Sequence, residues 1–242
     1  MKVVCVIPAR LNSKRFPRKV LSRLGSRPLL EWVWEAATAC PIFDQVVFAV
    51  DHEETARLVQ SFQAEYFMTS ETCPSGTDRL IELMDSGLLE GDIWVNWQGD
   101  EPFINREMID DLLQSVSEDS SDVWTLKKKL TADAEIQSPH VVKVVTDLKG
   151  QALYFSRSPI PYARIEGPTY YKHIGLYAYK TESLKRIQKM VPTPLEKAES
   201  LEQLRFMEGG LKIKIHETVH DTQGIDVPED LLLALRLITQ FK

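Results

Sequence analysis

The 242-residue sequence predicts an α/β fold, with a mostly parallel central sheet and helices on both faces. Three observations lead there. Short β-branched runs alternate with stretches whose apolar residues recur at helical spacing. The runs are continuously apolar, as strands buried on both faces require. Each is followed by a polar or Gly/Pro-bearing loop, and the carboxyl edge of such a sheet is where open α/β folds bind ligands.

The elements follow in order. Residues 2–7 form a first buried strand, and a basic loop leads from it into a helix over 28–39 whose core face is Leu29, Leu30, Val33, Trp34 and Ala37. A strand at 45–50, a helix from 52 to about 60 and a strand near 65–68 come next. Pro74-Ser75-Gly76 opens a helix that buries Leu80, Ile81, Leu83 and Met84, and a fourth strand spans 92–97. The second half is less regular. Strands are predicted at 141–146, 152–155, 173–179 and 212–217, with helices near 181–190, 195–207 and 228–240. The Pro- and Tyr-bearing stretch 158–171 reads as an ordered loop, and Lys127-Lys128-Lys129 as an exposed strand end. The five tryptophans fall in predicted core elements, which favours packing over base stacking.

Composition narrows the function. Hydrophobic residues make up 43% and charged residues 26%, as in a globular chain large enough to fold without metals or disulfides. The 29 basic residues against 35 acidic ones give a net charge of −6, which argues against a nucleic-acid binder. Cys5, Cys40 and Cys73 cannot pair completely and show no C-x-x-C spacing, so a cytoplasmic location is expected. The apolar run at 3–7 ends at Pro8, too short for a signal-peptide core, and nothing approaches a membrane span.

Two motifs carry chemistry. Pro8-Ala9-Arg10-Leu11-Asn12-Ser13-Lys14-Arg15-Phe16-Pro17-Arg18-Lys19 holds five basic side chains and no acid, directly after the first strand. Cations gathered there suit a polyphosphate, since Arg forks and Lys ammoniums bond phosphate oxygens. Neither the G-x-x-x-x-G-K-[ST] nor the G-x-G-x-x-G phosphate signature occurs in it. Gln98-Gly99-Asp100-Glu101-Pro102 follows the fourth strand, where a carboxylate could hold Mg²⁺ against phosphate. A third match misleads: His216-Glu217-Thr218-Val219-His220 fits H-E-x-x-H, but zinc binding by that motif needs a helix. The alternation of Lys212-Ile213-Lys214-Ile215 marks a strand, which would hold the two histidines roughly 13 Å apart.

With these motifs in place, the chain resembles the CMP-Kdo synthetase family, the 3-deoxy-manno-octulosonate cytidylyltransferases. The resemblance rests on seven blocks in order: Pro8-Ala9-Arg10 with Ser13, Arg15, Pro17 and Lys19; Ser75-Gly76-Thr77-Asp78-Arg79; Gln98-Gly99-Asp100-Glu101-Pro102; Ala152-Leu153-Tyr154-Phe155-Ser156-Arg157; His173-Ile174-Gly175-Leu176-Tyr177; Leu201-Glu202-Gln203-Leu204-Arg205; and Gly224-Ile225-Asp226-Val227-Pro228-Glu229-Asp230-Leu231. Arg18 departs from the family, which usually has Gly there, and could change the loop's flexibility or add a phosphate contact. The segment 162–172 looks shorter than in many relatives.

The resemblance implies a nucleotide-diphospho-sugar transferase-like fold with a smaller lobe. The nucleotide-binding portion would span about 1–130, a sugar-binding and dimerisation lobe about 131–220, and 221–242 would return to the core. It implies the reaction CTP + Kdo → CMP-Kdo + diphosphate, for lipopolysaccharide biosynthesis. Arg10, Lys19 and Asp100 would be catalytic. Pro8, Ala9, Arg10, Ser13, Arg15, Lys19, Ser75, Gly76, Thr77, Arg79 and Gln98 would bind the nucleotide. Gln98, Arg157, His173, Tyr177, Glu202 and Gln203 would hold the sugar acid, and Asp100 and Asp226 would hold Mg²⁺. A homodimer is expected, with Tyr162, Tyr170 and Tyr171 available to an aromatic interface. Two rivals compete with this reading. A sugar-donor glycosyltransferase would usually hold its metal through a D-x-D motif, which is absent. A nucleotide-binding regulator would not need both the cations and the paired acids.

Overall fold

The computed structural model describes residues 1–13, 15–165 and 167–240, so Lys14 of the basic loop and Glu166 of the 158–171 loop lie outside the described residues. The chain divides into two compact units. One comprises residues 1–109 with 221–242, the other residues 110–220.

In the first unit, β1 (Val3–Ala9) is buried along its whole length and pairs in parallel with β4 (Gln45–Val50) on one side and β6 (Ile93–Asn96) on the other. β5 (Tyr66–Met68) extends the sheet beyond β4, giving the order β6-β1-β4-β5. The chain therefore runs outward from β1 in one direction and then returns to β1's other side. That reversal opens a crevice beyond the carboxyl ends of β1 and β6, the usual ligand site of an open parallel sheet. A short hairpin, β2 (Arg23–Leu24) with β3 (Arg27–Pro28), leads into α1 (Leu29–Thr38), which buries Leu29, Leu30, Val33 and Ala37. Helices α2 (Glu53–Ser61) and α3 (Gly76–Asp85) connect the next strands. The returning segment carries α9 (Pro228–Gln240). Its Ala234 and the preceding Ile225 close a fully buried cluster with Leu24 and Leu29, which fixes where residue 226 sits.

In the second unit, β7 (Val123–Lys129) lies between parallel β11 (Ile213–Glu217) and antiparallel β10 (Tyr171–Lys180). β8 (Lys143–Thr146) pairs with β9 (Ala152–Ser156) and with β10. The fold class expected from the sequence holds, and so do most of its elements.

Three differences stand out. α4 (Arg106–Leu113), α5 (Asp133–Gln137) and most of β7 are not expected from the sequence. The lysine run does end a strand, as expected, but only Lys129 is exposed, and the Lys127 ammonium lies 4.3 Å from the centroid of the Tyr171 ring. β7, paired with β10 and β11, belongs to the second unit, which begins at residue 110. Finally, the expected helix over 195–207 is two helices, α7 (Pro194–Glu199) and α8 (Glu202–Glu208), broken where Ser200 adopts a left-handed conformation at φ 52°. α6 (Thr181–Ile187) precedes them.

Candidate active site

The two strand ends beside the crevice bring the basic loop and the Gln98–Asp100 turn together. Arg10 leaves β1 exposed, while Lys19 is buried in a single 3-10 turn at Lys19–Leu21. The Lys19 ammonium bonds the Asp100 carboxylate, donates to the Ile225 carbonyl oxygen at 3.0 Å and reaches Asp226 Oδ1 at 3.4 Å. Arg15 pairs with that same Asp226 oxygen at 2.8 Å. Two acids 126 residues apart thus converge on one cation. In the first turn of α9 the Asp230 carboxylate accepts from the backbone N–H of Asp226 (2.8 Å) and of Val227 (3.0 Å), while the Asp226 side chain goes to the two cations.

Glu101 adds a third acid that was quoted in the motif but given no role. Burial pushes its carboxyl up to about 8, and the negative charges of Asp100 and Asp226 push the same way. Its Oε2 is buried without a hydrogen-bond partner. Two converging carboxylates are a hard-oxygen donor set suited to Mg²⁺. Among the described residues no cluster of three or more metal-ligating side chains occurs. A divalent ion held by Asp100 and Asp226 would therefore draw its remaining ligands from phosphate oxygens and water, which is how Mg²⁺ is usually bound.

A cavity of about 300 Å³ opens beside this cluster, lined by Pro8, Arg10, Lys19, Val20, Pro74, Ser75, Gly76, Arg79, Gln98 and Asp100. Ser75 caps α3 in a reciprocal box: its hydroxyl accepts from the Asp78 N–H at 3.2 Å, and Asp78 accepts from the Ser75 N–H at 3.1 Å. That box fixes the start of the helix at the cavity wall. Gly76 packs closely there: a β-carbon would come within 2.5 Å of Gln98 Nε2, so a larger residue would have to displace that side chain. Gln98 in turn donates to Asn96 Oδ1 at 2.8 Å. Arg79 lines the cavity too, but its guanidinium is engaged with Asp51 at 2.8 Å and Thr69 Oγ1 at 2.5 Å. Of the other residues expected at the nucleotide, Ala9 and Thr77 are buried, Ser13 is half-buried and Arg15 is exposed; none of the four lines the cavity. Arg18 sits at φ 60° with its guanidinium on Glu54 of α2.

The residues expected at the sugar lie in the second unit, apart from Gln98. His173 and Tyr177 belong to an aromatic series on β10 and its neighbours. Phe155 packs edge-on against His173 at 4.9 Å, His173 lies 5.4 Å from Tyr177, and Tyr177 stacks on Tyr179 at 5.7 Å. Burial lowers the His173 imidazole to about 3, so it is neutral. The Thr125 hydroxyl lies 3.0 Å from His173 Nε2 and within 3.0 Å of the Ile174 and Leu176 carbonyl oxygens. With its own proton directed to a carbonyl, Thr125 accepts from His173, which places the imidazole proton on Nε2. Nothing in the sequence marked Thr125. Arg157 donates to the backbone carbonyls of Glu199 (2.7 Å), Pro139 (3.0 Å) and Ser200 (3.3 Å). Glu202 pairs with Arg205 at 3.0 Å, and Gln203 is buried.

The H-E-x-x-H match does not lie on a helix. His216 and Glu217 end β11, and His216 Nε2 lies 2.9 Å from Ser115 Oγ. All three cysteines are free. The half-buried Cys73 thiol donates to Glu82 at 2.9 Å and is pushed up to about 12, chiefly by burial.

A parallel α/β sheet whose switch point carries a cation–carboxylate cavity suits the chemistry of a nucleotidyltransferase. The family described as Cytidylyltransferase matches residues 4–213, and the chain belongs to that family. It is 42% identical to the 3-deoxy-manno-octulosonate cytidylyltransferase of Thermodesulfovibrio yellowstonii, with 100% of each chain covered. It is 44% identical to the protein of the same name from Chlorobium luteolum, over 98% of each. Among solved structures, a CMP:2-keto-3-deoxy-manno-octonic acid synthetase complexed with CTP superposes with a TM-score of 0.95 at 40% identity, covering 100% of both chains. A Bacillus anthracis chain described as a glucose-1-phosphate thymidylyltransferase shares the fold alone, with a TM-score of 0.65 at 15% identity over 98% of this chain and 94% of that one.

Proposed function

We propose that this enzyme transfers CMP from CTP to 3-deoxy-manno-octulosonate (Kdo), releasing diphosphate and supplying CMP-Kdo for lipopolysaccharide biosynthesis. One observation carries the reading: Arg10, Lys19 and Asp100 line one cavity and Lys19 also pairs with Asp226, in a chain similar along its full length to cytidylyltransferases of that name. The sugar hydroxyl attacks the α-phosphorus as the bond to the departing diphosphate breaks, so positioning and charge neutralisation dominate. Arg10 is the cavity's exposed cation and binds the phosphates. Lys19 holds Asp100 and Asp226 in register and offsets their charge before the nucleotide arrives. Ser75 and Gly76, at the start of α3, form the nucleoside wall together with Gln98.

Mg²⁺ held by Asp100 and Asp226 would neutralise the triphosphate and acidify the attacking hydroxyl when bound. His173, held neutral by its surroundings, and Tyr177 would serve the sugar acid as hydrogen-bonding groups, with Glu202 and Gln203. Arg157 would shape that surface through the carbonyls it grips. The exposed Tyr162 supports a homodimer interface, and a stable monomer of about 28 kDa by light scattering at micromolar concentration would reject it, since an interface of standard size persists there. No helix among the described residues is long and apolar enough to cross a membrane, and we place the enzyme in the cytoplasm, where its nucleotide substrate is made and its thiols stay reduced.

The deciding assay measures diphosphate release with each of four nucleoside triphosphates against a panel of acid sugars. Release with CTP and Kdo alone is expected. Equal rates with ATP, or with sialic acid, overturn the reading, because a pocket built for one base leaves its polar groups unpaired with another.

A further inference from the structure

Asp51 is assigned no role by the motifs above, yet it joins two walls of the nucleotide cavity. It follows the last residue of β4, and its side chain is only 6% exposed. Each carboxylate oxygen takes one donor from a different wall. Oδ1 accepts from the backbone N–H of Leu11 at 2.8 Å, and Leu11 is the residue after the cavity-lining Arg10. Oδ2 accepts from Arg79 at 2.8 Å. The same guanidinium continues to Thr69 Oγ1 at 2.5 Å and to the Ser70 carbonyl at 3.2 Å. Thr69 is tied back to β4 through the Val50 carbonyl, accepting its N–H at 2.7 Å, and Ser70 begins the loop that reaches Pro74, Ser75 and Gly76 on the opposite wall.

A buried ion pair is weak evidence of stabilisation, because desolvating both charges costs about what their attraction returns. Stability therefore does not explain why a charged pair stands here. Geometry does. A charge-assisted bond to a backbone N–H holds that peptide more firmly than a neutral acceptor would. Here the held peptide sets where Arg10 leaves the sheet. We infer that Asp51 is a positioning residue that fixes the spacing between the phosphate loop and the nucleoside loop, acting through Leu11 N–H on one side and Arg79 on the other, and so sets affinity for CTP. This rests on the cavity being the CTP site.

The test is steady-state kinetics and CTP titration of Asp51→Asn. The amide keeps the size and one acceptor oxygen, but turns N–H donors toward one of its two partners. The KM and dissociation constant for CTP should rise about tenfold or more, with KM for the sugar unchanged and kcat altered far less. A merely structural residue would lower the melting temperature and leave CTP affinity in the folded enzyme as it was; a CTP KM within twofold of the parent therefore overturns the inference. Thr69→Val provides a second reading if Asp51→Asn does not fold. It removes an acceptor of Arg79 on the loop side without stranding the Asp51 charge, and should raise KM for CTP severalfold; no change in a folded Thr69→Val protein also overturns the inference. Arg10→Ala separates the two hypotheses. If it leaves CTP affinity unchanged, the cavity is not the CTP site; if it weakens CTP while Asp51→Asn does not, only the coupling falls.

Discussion

The cavity in the first unit and the aromatic surface in the second solve opposite electrostatic problems. In the first, Arg15, Lys19, Asp100 and Asp226 form a chain of alternating charges, and a buried carboxyl, Glu101, sits against the two aspartates. In the second, the titratable groups are embedded among rings, and His173 contacts Thr125, Phe155 and Tyr177, none of which carries a formal charge. Under the proposed function, the first region exchanges partners when the triphosphate and its counterion arrive. The second is set by packing. The difference teaches that one region is held by paired charges and the other by packing and neutral hydrogen bonds.

The most severe test of that contrast removes charge from the first region. Asp100→Asn should lower turnover by about 100-fold or more with the fold intact, and Asp226→Asn should behave likewise. Diphosphate release alongside circular dichroism checks both. Variants that melt early yet turn over normally would make the region a structural one and break the comparison.

Opposite pH responses sharpen it further. His173 is held near 3 against an ordinary 6.5, so the unfolded chain takes up a proton that the folded protein refuses. Its contribution to stability is complete above about 6.5 and is lost as the pH falls toward 3. Glu101 runs the other way: the folded protein keeps its proton up to about 8, whereas the unfolded chain releases it near 4.5. That contribution is complete below about 4.5 and is lost as the pH rises through 8. Denaturant melts without metal or nucleotide should therefore show a neutral-pH slope that Glu101→Gln flattens, and an acid limb that His173→Gln flattens. Identical effects of the two variants on one limb would refute the assignment.

Smaller changes probe the frame around the cavity. Ser75→Ala removes the hydroxyl half of the α3 capping box and should cost about 1 kcal/mol of stability, read from the shift in the urea midpoint. Arg18→Gly should matter least. Relieving a left-handed non-glycine residue returns about 1 kcal/mol, while losing the exposed pair with Glu54 removes about 0.2–1 kcal/mol. A slight gain in stability with unchanged turnover is expected; a marked fall in CTP affinity would show that Arg18 reaches the phosphates after all.

Much of this was legible in the order of residues because it is local. Continuous apolar runs such as Val3-Val4-Cys5-Val6-Ile7 can only be buried strands here, and a basic loop placed directly after one is already at a sheet edge. The same logic read 212–217 as a strand and dismissed the H-E-x-x-H match. Where local signals conflicted with packing, they failed. Val123–Lys129 ends in three lysines whose stems a sheet interior can absorb, and the helical pattern over 195–207 gave no sign of the reversal at Ser200.

By itself, then, the sequence determined the fold class, the cation-rich loop, the acid turn at Gln98–Asp100 and, through its resemblance, the family, since each is written in contiguous residues. Only the tertiary structure decided that Asp226 faces Lys19 and Arg15, that Arg79 grips Asp51, that Thr125 holds His173, and that Glu101 stays protonated near neutral pH. Each of these depends on which distant residue becomes a neighbour and on how much water the packing excludes. Hydrogen bonds and pKa values follow proximity and solvation, and neither is encoded at any single position of the chain.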